Sequence, residues 1–438
     1  MADRRVAITG LGVVTPLGVG IDAAWGALRE ARKGVSAISL IDPGHFPCRI
    51  GGQLLDFSAR DFVPKNYRKA VKVMARDIEI AVAAADLAFL DSGLITRGLE
   101  GKGDPTVDSR RLGCNVGAGL ICTELNELGT AVNTSVKDGK FDFETWGKSG
   151  MNNLTPLWLL KYLPNMLSCH VTIIHGAEGP SNCITCGDAS GHLAVGESAL
   201  YIRRGAADVV VAGAAESKLN HMGLLRQGML QRLCTTRNDQ PATAVRPFDA
   251  DHAGTAIGEG GGLLILEDMD YAKKRGARVY AELVGFGAAC DAKAIDVLRP
   301  TAGNLGLAVK NAVASAGITP DDVDAIVAYG TGVPGEDAAE AAAWREALGP
   351  RAEKIPAVSF TGATGTMFAG SSGVQLAVAA KCLTEQVVPP TVNFARPADG
   401  CAMNFAAETR DVKIRHIVTG SYTVGGQSGA CVLKLCEH

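Results

Sequence analysis

The sequence predicts a layered α/β fold built from two similar halves, and three observations point to it. Hydrophobic residues make up 47% of the 438 positions and charged residues 20%, yet aromatics only 5%, so cores must be built from Ala, Val, Leu and Ile. Short apolar strands alternate with amphipathic helices along almost the whole chain. Finally, the chain echoes itself. Arg5-Val-Ala-Ile-Thr-Gly-Leu-Gly has a counterpart in Arg278-Val-Tyr-Ala-Glu-Leu-Val-Gly-Phe-Gly, and the stretch around Asp188 has one in Val358-Ser-Phe-Thr-Gly-Ala-Thr-Gly-Thr-Met. The chain is long enough for two domain-sized cores. Halves over 1–265 and 266–438 explain the echo better than one oversized sheet.

The elements follow in order. Arg5 to Gly10 reads as a short apolar strand ended by a Gly/Pro-punctuated turn, with a helix around Ile21 to Glu30. Asp77 to Leu90 is an Ala-rich helix with apolar residues at helical spacing. The stretch 128–156 lacks periodicity and is rich in Gly, Lys, Asp and Asn, which predicts a loop-rich insertion and a candidate subunit contact. Small residues then run from Gly179 to Gly191, and a helix follows over His192 to Ile202. This is a sharp strand-to-helix turn, which lifts one side chain, Asp188, into a site at the positive end of a helix. Ala207 to Gly213 and Leu263 to Leu266 are continuous apolar runs, as expected of strands buried on both faces.

The bulk numbers exclude several classes. A net charge of −3 and a pI near 6.3 argue against nucleic-acid binding. No apolar run approaches a membrane span, and the first residues read as a strand rather than a signal peptide. The twelve cysteines lack a disulfide-framework spacing and read as reduced thiols of a cytoplasmic protein. Cys183 and Cys186 form a lone C-x-x-C without the partner pair that a metal or redox site needs, so neither cofactor nor metal is expected.

Segments along nearly the whole chain resemble the β-ketoacyl-(acyl carrier protein) synthases. They include Val6-Ala-Ile-Thr-Gly-Leu-Gly-Val-Val-Thr-Pro-Leu-Gly, Gly179-Pro-Ser, Ala207-Asp-Val-Val-Val-Ala-Gly-Ala-Ala-Glu and Arg246-Pro-Phe-Asp. Further on come Ile257-Gly-Glu-Gly-Gly-Gly, Tyr329-Gly-Thr-Gly-Val-Pro-Gly-Glu-Asp, Val388-Pro-Pro-Thr and Gly425-Gly-Gln-Ser-Gly. The resemblance implies a thiolase-like fold of five layers, α-β-α-β-α. It also implies a nucleophilic cysteine separated from Gly-Pro-Ser by six residues, where this chain has Asp188. The family's first histidine, in Asn-Ala-His-Gly-Thr, falls on Tyr329, and its Lys-Ser-x-x-Gly-His segment places lysine at Thr361 and histidine at Thr366. An aromatic gate near the C-terminus becomes Val424, whereas the acidic pair Asp337 and Glu340 is kept.

Condensation in that family needs a thiolate to carry the acyl chain and two imidazoles to manage the enolate. Groups that act as a unit are worth on the order of 10⁶ in rate, so ordinary condensing activity is not expected of this chain alone. Asp188 has two readings: an N-cap accepting amide hydrogens near Ser190 and Gly191, or a carboxylate nucleophile or base. Cys186 is a second nucleophile candidate. His192 either faces the cavity or packs the helix, and Tyr329 either donates a hydrogen bond or fills volume. Thr361 and Thr366 suit a tunnel lining, for which Cys186, His192 and Val424 are also candidates. Lys65, Arg68, Lys69 and Lys72 form a basic cluster able to attract an acidic carrier protein, or simply a solvated face.

The substitution pattern is similar to that of chain-length factors, the ketosynthase β-subunits that pair with an active ketosynthase and shape its acyl tunnel. An Asp at the nucleophile position departs from the Gln usual in aromatic-polyketide members, which leaves type II polyketide and specialised fatty-acid pathways both open. Two alternatives stand beside this expectation: an enzyme of altered chemistry using Asp188, such as an acyl hydrolase or dehydratase, and a homodimeric acyl-binding protein.

Overall fold

The computed structural model describes residues 4–292 and 302–436. The first half contributes strands β1 (Val6–Thr15), β2 (Leu112–Ala118), β3 (Ser181–Thr185), β4 (Val209–Ser217) and β5 (Ile257–Asp268). The second contributes β6 (Ala281–Cys290), β7 (Ala325–Val327), β8 (Ala357–Val358), β9 (His416–Tyr422) and β10 (Gln427–Lys434). The order in the first half is β1-β5-β4-β2-β3, and in the second β6-β10-β9-β7-β8. In both, the first three strands pair antiparallel and the last three parallel. The halves therefore repeat one topology, joined at a seam where Ala7 pairs with Glu282 and Ile8 with Ala281.

Helices complete five layers. Helix α1 (Ile21–Arg29) follows β1, and α2 (Arg76–Ser92) covers the outer face of the first sheet. Helices α3 (Ser190–Arg203) and α7 (Ala369–Glu385) lie between the sheets and touch both. A short helix α4 (His221–Met229) follows β4, while α5 (Ala302–Ser315) and α6 (Pro334–Leu348) form the opposite outer layer. Strand alternation shows why both sheet faces must be apolar. Val210, Ala212, Leu264 and Leu266 point to the central layer, whereas Val209, Val211, Leu263 and Ile265 meet α2. Every residue of α7 from Ala369 to Leu383 is buried, including Ser371, Ser372, Gln375 and Lys381, because the helix is covered from both sides.

The structure differs from the sequence expectation at several boundaries. Strand β1 continues to Thr15, because Gly10 and Gly12 are not turn residues. A Cβ on Gly12 would lie 1.8 Å from the Ala84 carbonyl oxygen, so these glycines let α2 approach the strand. Residue 265 falls inside β5, and the second half's first strand begins at Ala281. The stretch 128–156 is not only loop: it holds most of a helix over Leu125–Asn133, a small hairpin pairing Val136 with Phe141, and a helix over Phe143–Lys148. Phe143, Met151 and Leu157 in or beside it are exposed. Among the described residues no helix is long and apolar enough to cross a membrane.

Candidate functional site

Asp188 sits in a one-turn 3-10 segment, Gly187–Ala189, between β3 and α3. Gly187 has φ 56°, and a Cβ there would meet the Thr423 hydroxyl at 2.5 Å, so the tight turn and the close neighbour both require glycine. The turn aims Asp188 at the junction of the two halves. Helix α7 begins beside it: the Gly191 amide donates to Ser372 Oγ over 2.8 Å, so two helix starts converge here.

The Asp188 side chain is buried and does not cap α3, which has no side-chain cap bond. That corrects the capping expectation. Its Oδ2 accepts from the Tyr329 hydroxyl at 2.9 Å and from Arg232 Nη2 at 3.3 Å. Arg232 also makes a two-point contact with Glu336, at 2.8 Å and 3.0 Å, and donates to Gln227 at 3.2 Å. Burial alone pulls this guanidinium down, but Glu336 and then Asp188 outweigh it and hold its pKa well above the ordinary value. The charge also explains why a cap fails: a buried carboxylate needs a cation more than it needs a weak dipole contact.

Tyr329 does more than fill volume. Burial, and then the Asp188 charge, push its phenol well above the usual range, so it stays protonated as a donor. Its backbone amide and that of Gly330 donate to Glu340, at 2.7 Å and 2.8 Å. Burial pushes the Glu340 carboxyl up to about 7, against the pull of those amides. Asp337 accepts from the amides of Thr331, Gly332 and Phe248, and contacts His252 Nδ1 at 3.0 Å. The acidic pair thus pins the backbone that carries Tyr329.

The two threonines lie deeper and are fully engaged. The Thr361 hydroxyl donates to the Gly330 carbonyl, and Thr366 Oγ1 shares a 2.6 Å bond with Thr255. Neither lines the cleft at Asp188. His192 is also away from it, fully buried, with Nδ1 2.8 Å from Ser421 Oγ and Nε2 3.1 Å from Thr419 Oγ1. It packs the helix, and burial holds its pKa down to about 3.

The cleft encloses about 300 Å³ and is lined by Cys186, Asp188, Lys218, Arg232, Phe368 and Val424, among others. Cys186 and Val424 therefore do face one space. Burial, and then Cys290, raise the Cys186 thiol, so nothing there favours a thiolate. Lys218 ion-pairs with Glu216 and stands 4.2 Å over the Phe368 ring; burial pushes its pKa down to about 8, with Asp188 opposing.

Sequence reasoning missed Arg232, Glu336, Lys218 and Gln227. The signal available was indirect: an aspartate among small apolar residues implies a cation, which the chain supplies 44 residues later. Cys183 turns away and donates to the Pro164 carbonyl at 3.3 Å. All twelve cysteines are unpaired, and no group of three or more His, Cys, Asp or Glu among the described residues is arranged to hold a metal ion.

Two duplicated halves in five layers, with a strand-to-helix turn meeting a second helix start at their junction, define a thiolase-like ketosynthase fold. Models of the β-ketoacyl synthase N-terminal and C-terminal domains match residues 3–272 and 280–395, and the chain belongs to the β-ketoacyl synthase family. It is 31% identical to 3-oxoacyl-[acyl-carrier-protein] synthase 2 of Vibrio harveyi over 437 residues, 99% of each chain. A β-ketoacyl synthase from Burkholderia phymatum superposes with a TM-score of 0.85 at 25% identity, covering 99% of this chain and 100% of that one. The ishigamide ketosynthase/chain length factor superposes with a TM-score of 0.83 at 24% identity, over 100% of both chains, a likeness of fold.

Proposed function

We propose that this chain is a non-condensing ketosynthase-like subunit, a chain-length factor, that pairs with an active β-ketoacyl synthase and shapes its acyl tunnel in type II polyketide or specialised fatty-acid synthesis. The observation that carries the reading is the engagement of Asp188. Where the family resemblance implies a nucleophile, this carboxylate is tied to Arg232 and Tyr329; Thr361, bonded to the Gly330 carbonyl, and Thr366, bonded to Thr255, stand where lysine and imidazole are implied. Tyr329 and Thr366, where the resemblance implies the two imidazoles, carry hydroxyls already engaged with Asp188 and Thr255 in place of the groups that would hold an enolate. The open edge strand β3, with Ser181, Asn182 and Thr185 exposed, and the exposed Phe143 and Leu157 support a partner surface in the same half. Lys65, Arg68, Lys69 and Lys72 are all exposed, and no carboxylate pairs with their side chains among the described residues, as a docking patch for an acidic acyl carrier protein requires.

The test is co-expression with a ketosynthase that has the cysteine and both histidines. Condensation of malonyl- and acyl-carrier-protein is expected only from the complex; turnover by this chain alone would sink the proposal. The second reading, an Asp188-dependent hydrolase or dehydratase, draws on the position of Asp188 in a cleft beside Lys218. Asp188→Asn separates the two: a partner subunit keeps its complex active, whereas an Asp-dependent enzyme loses turnover.

A further inference from the structure

A separate pocket of about 310 Å³ lies where the start of α2 meets the turn after β4 and the helix start at Leu125, and it shares no lining residue with the cleft at Asp188. Its charged wall is unbalanced. Four carboxylates, Asp77, Glu79, Glu124 and Glu259, face two cations, Arg76 and Lys161. Arg76 is shared between Glu259, at 3.0 Å, and Glu79, at 3.3 Å, while Lys161 is held by Glu127. The carboxylates of Asp77 and Glu124 hydrogen-bond only neutral groups among the described residues. Asp77 Oδ1 accepts from the Ser217 amide at 3.1 Å, and Glu124 Oε1 from Asn220 Nδ2 at 3.5 Å, so both reach one turn. Asp77 is only 3% exposed, and its Oδ2 has no partner among the described residues.

Magnitudes decide whether the fold alone satisfies these charges. Taking a carboxylate out of water costs several kcal/mol unless a cation pairs with it. The start of α2 favours the acids of its first turn, Asp77 and Glu79, by about 0.3–1 kcal/mol, which is too little. Burial pushes the Asp77 carboxyl up to about 6, with the Ser217 amide and then Lys218 pulling it back, so it is ionised at neutral pH. Lys218 itself is taken by Glu216. The rest of the pocket is largely aliphatic, with Leu54 and Met74 buried and Leu40 and Leu55 exposed. Two unmatched carboxylates beside a short aliphatic wall complement an organic ammonium ion. A bare metal ion is a poorer fit, because it would leave that wall unused.

We propose that this pocket binds a small aliphatic amine in its ammonium form, the N–H donors on Asp77 and Glu124 and the alkyl body along Leu40, Leu54 and Leu55. The site needs neither Asp188 nor a catalytic partner.

Isothermal titration calorimetry of the full chain at neutral pH tests it, with hexylamine as the ligand and 1-hexanol as its neutral counterpart. One saturable equivalent of the amine is expected, about tenfold tighter than the alcohol or more. Asp77→Asn keeps an acceptor for the Ser217 amide, and Glu124→Gln changes a half-buried position. Each should weaken the amine about tenfold and leave the alcohol where it was. Should Asp77→Asn fail to fold, Glu124→Gln decides alone. Absence of saturable amine binding, equal affinity for the alcohol, or binding that these substitutions leave intact overturns the proposal. So does binding that is lost in Asp188→Asn, which would put the amine in the other cleft.

Discussion

The phenolic hydroxyl of Tyr329 donates to Oδ2 of Asp188 over 2.9 Å, joining the first half of the chain to the second through a fully buried bond. Arg232 and Glu336 make the same crossing as an ion pair. The point where the halves meet is held by charge rather than by apolar packing alone.

Truncating Asp188 should therefore cost stability. Asp188→Ala leaves the Tyr329 hydroxyl without an acceptor and Arg232 with Glu336 as its one remaining carboxylate, a loss of about 3–5 kcal/mol by analogy with broken buried pairs. Asp188→Asn keeps an acceptor for Tyr329 and should cost less, about 1–3 kcal/mol. Chemical denaturation of both variants measures the difference. An alanine variant as stable as wild type would mean that the network holds nothing.

A thiol alone should not restore condensation. In Asp188→Cys the helix start and Arg232 favour the thiolate, so iodoacetamide should label the residue at neutral pH. Mass spectrometry of carrier-protein substrates should nevertheless find condensation at background, since no imidazole stands at Tyr329 or Thr366. Turnover from this single change would show that the rest of the site is competent.

His192 sets an acid limit. Its pKa is held down to about 3 by burial, against 6.5 in its ordinary state, so the unfolded chain binds a proton that the folded one refuses. The stability this group contributes is complete above pH 6.5 and is lost as pH falls from 6.5 towards 3. Within that window wild type should lose roughly 1.4 kcal/mol per pH unit relative to His192→Asn. Urea titrations of both proteins at pH 7, 6 and 5 check the slope; parallel curves would mean that His192 is already protonated in the fold.

Charge reversal on the basic cluster should act on association, not folding. Arg68→Glu with Lys69→Glu, at two exposed positions, is expected to weaken acyl-carrier-protein binding about tenfold at low salt. The effect should shrink as salt rises, and the melting temperature should stay where it was. Surface plasmon resonance at two ionic strengths distinguishes this from a solvated face, which would give no change.

Most of the fold was legible in the sequence because it is written in local patterns. The apolar run at Ala207 to Gly213 became β4, the Ala-rich run became α2, and both echoed pairs became equivalent elements of the two halves. Gly10 and Gly12 misled because a glycine under a helix and a glycine in a turn look alike in one dimension. The turn at Asp188 was legible; the fate of its carboxylate was not. Arg232, Tyr329 and Glu336 lie 44 to 148 residues away in sequence, and only the crossing of the halves brings them to one point. His192 was ambiguous for a similar reason: its partners, Thr419 and Ser421, come from a strand near the other end of the chain.

The convergence of α3 and α7 at the turn of Asp188 has an electrostatic consequence. Two long helices that start side by side add their positive ends, and an open pair of this kind draws anions from solvent. Here the anion is covalently part of the chain and never leaves. The junction therefore behaves like an insulated contact: where two helix starts meet, the resident charge is itself held by Arg232 and Tyr329.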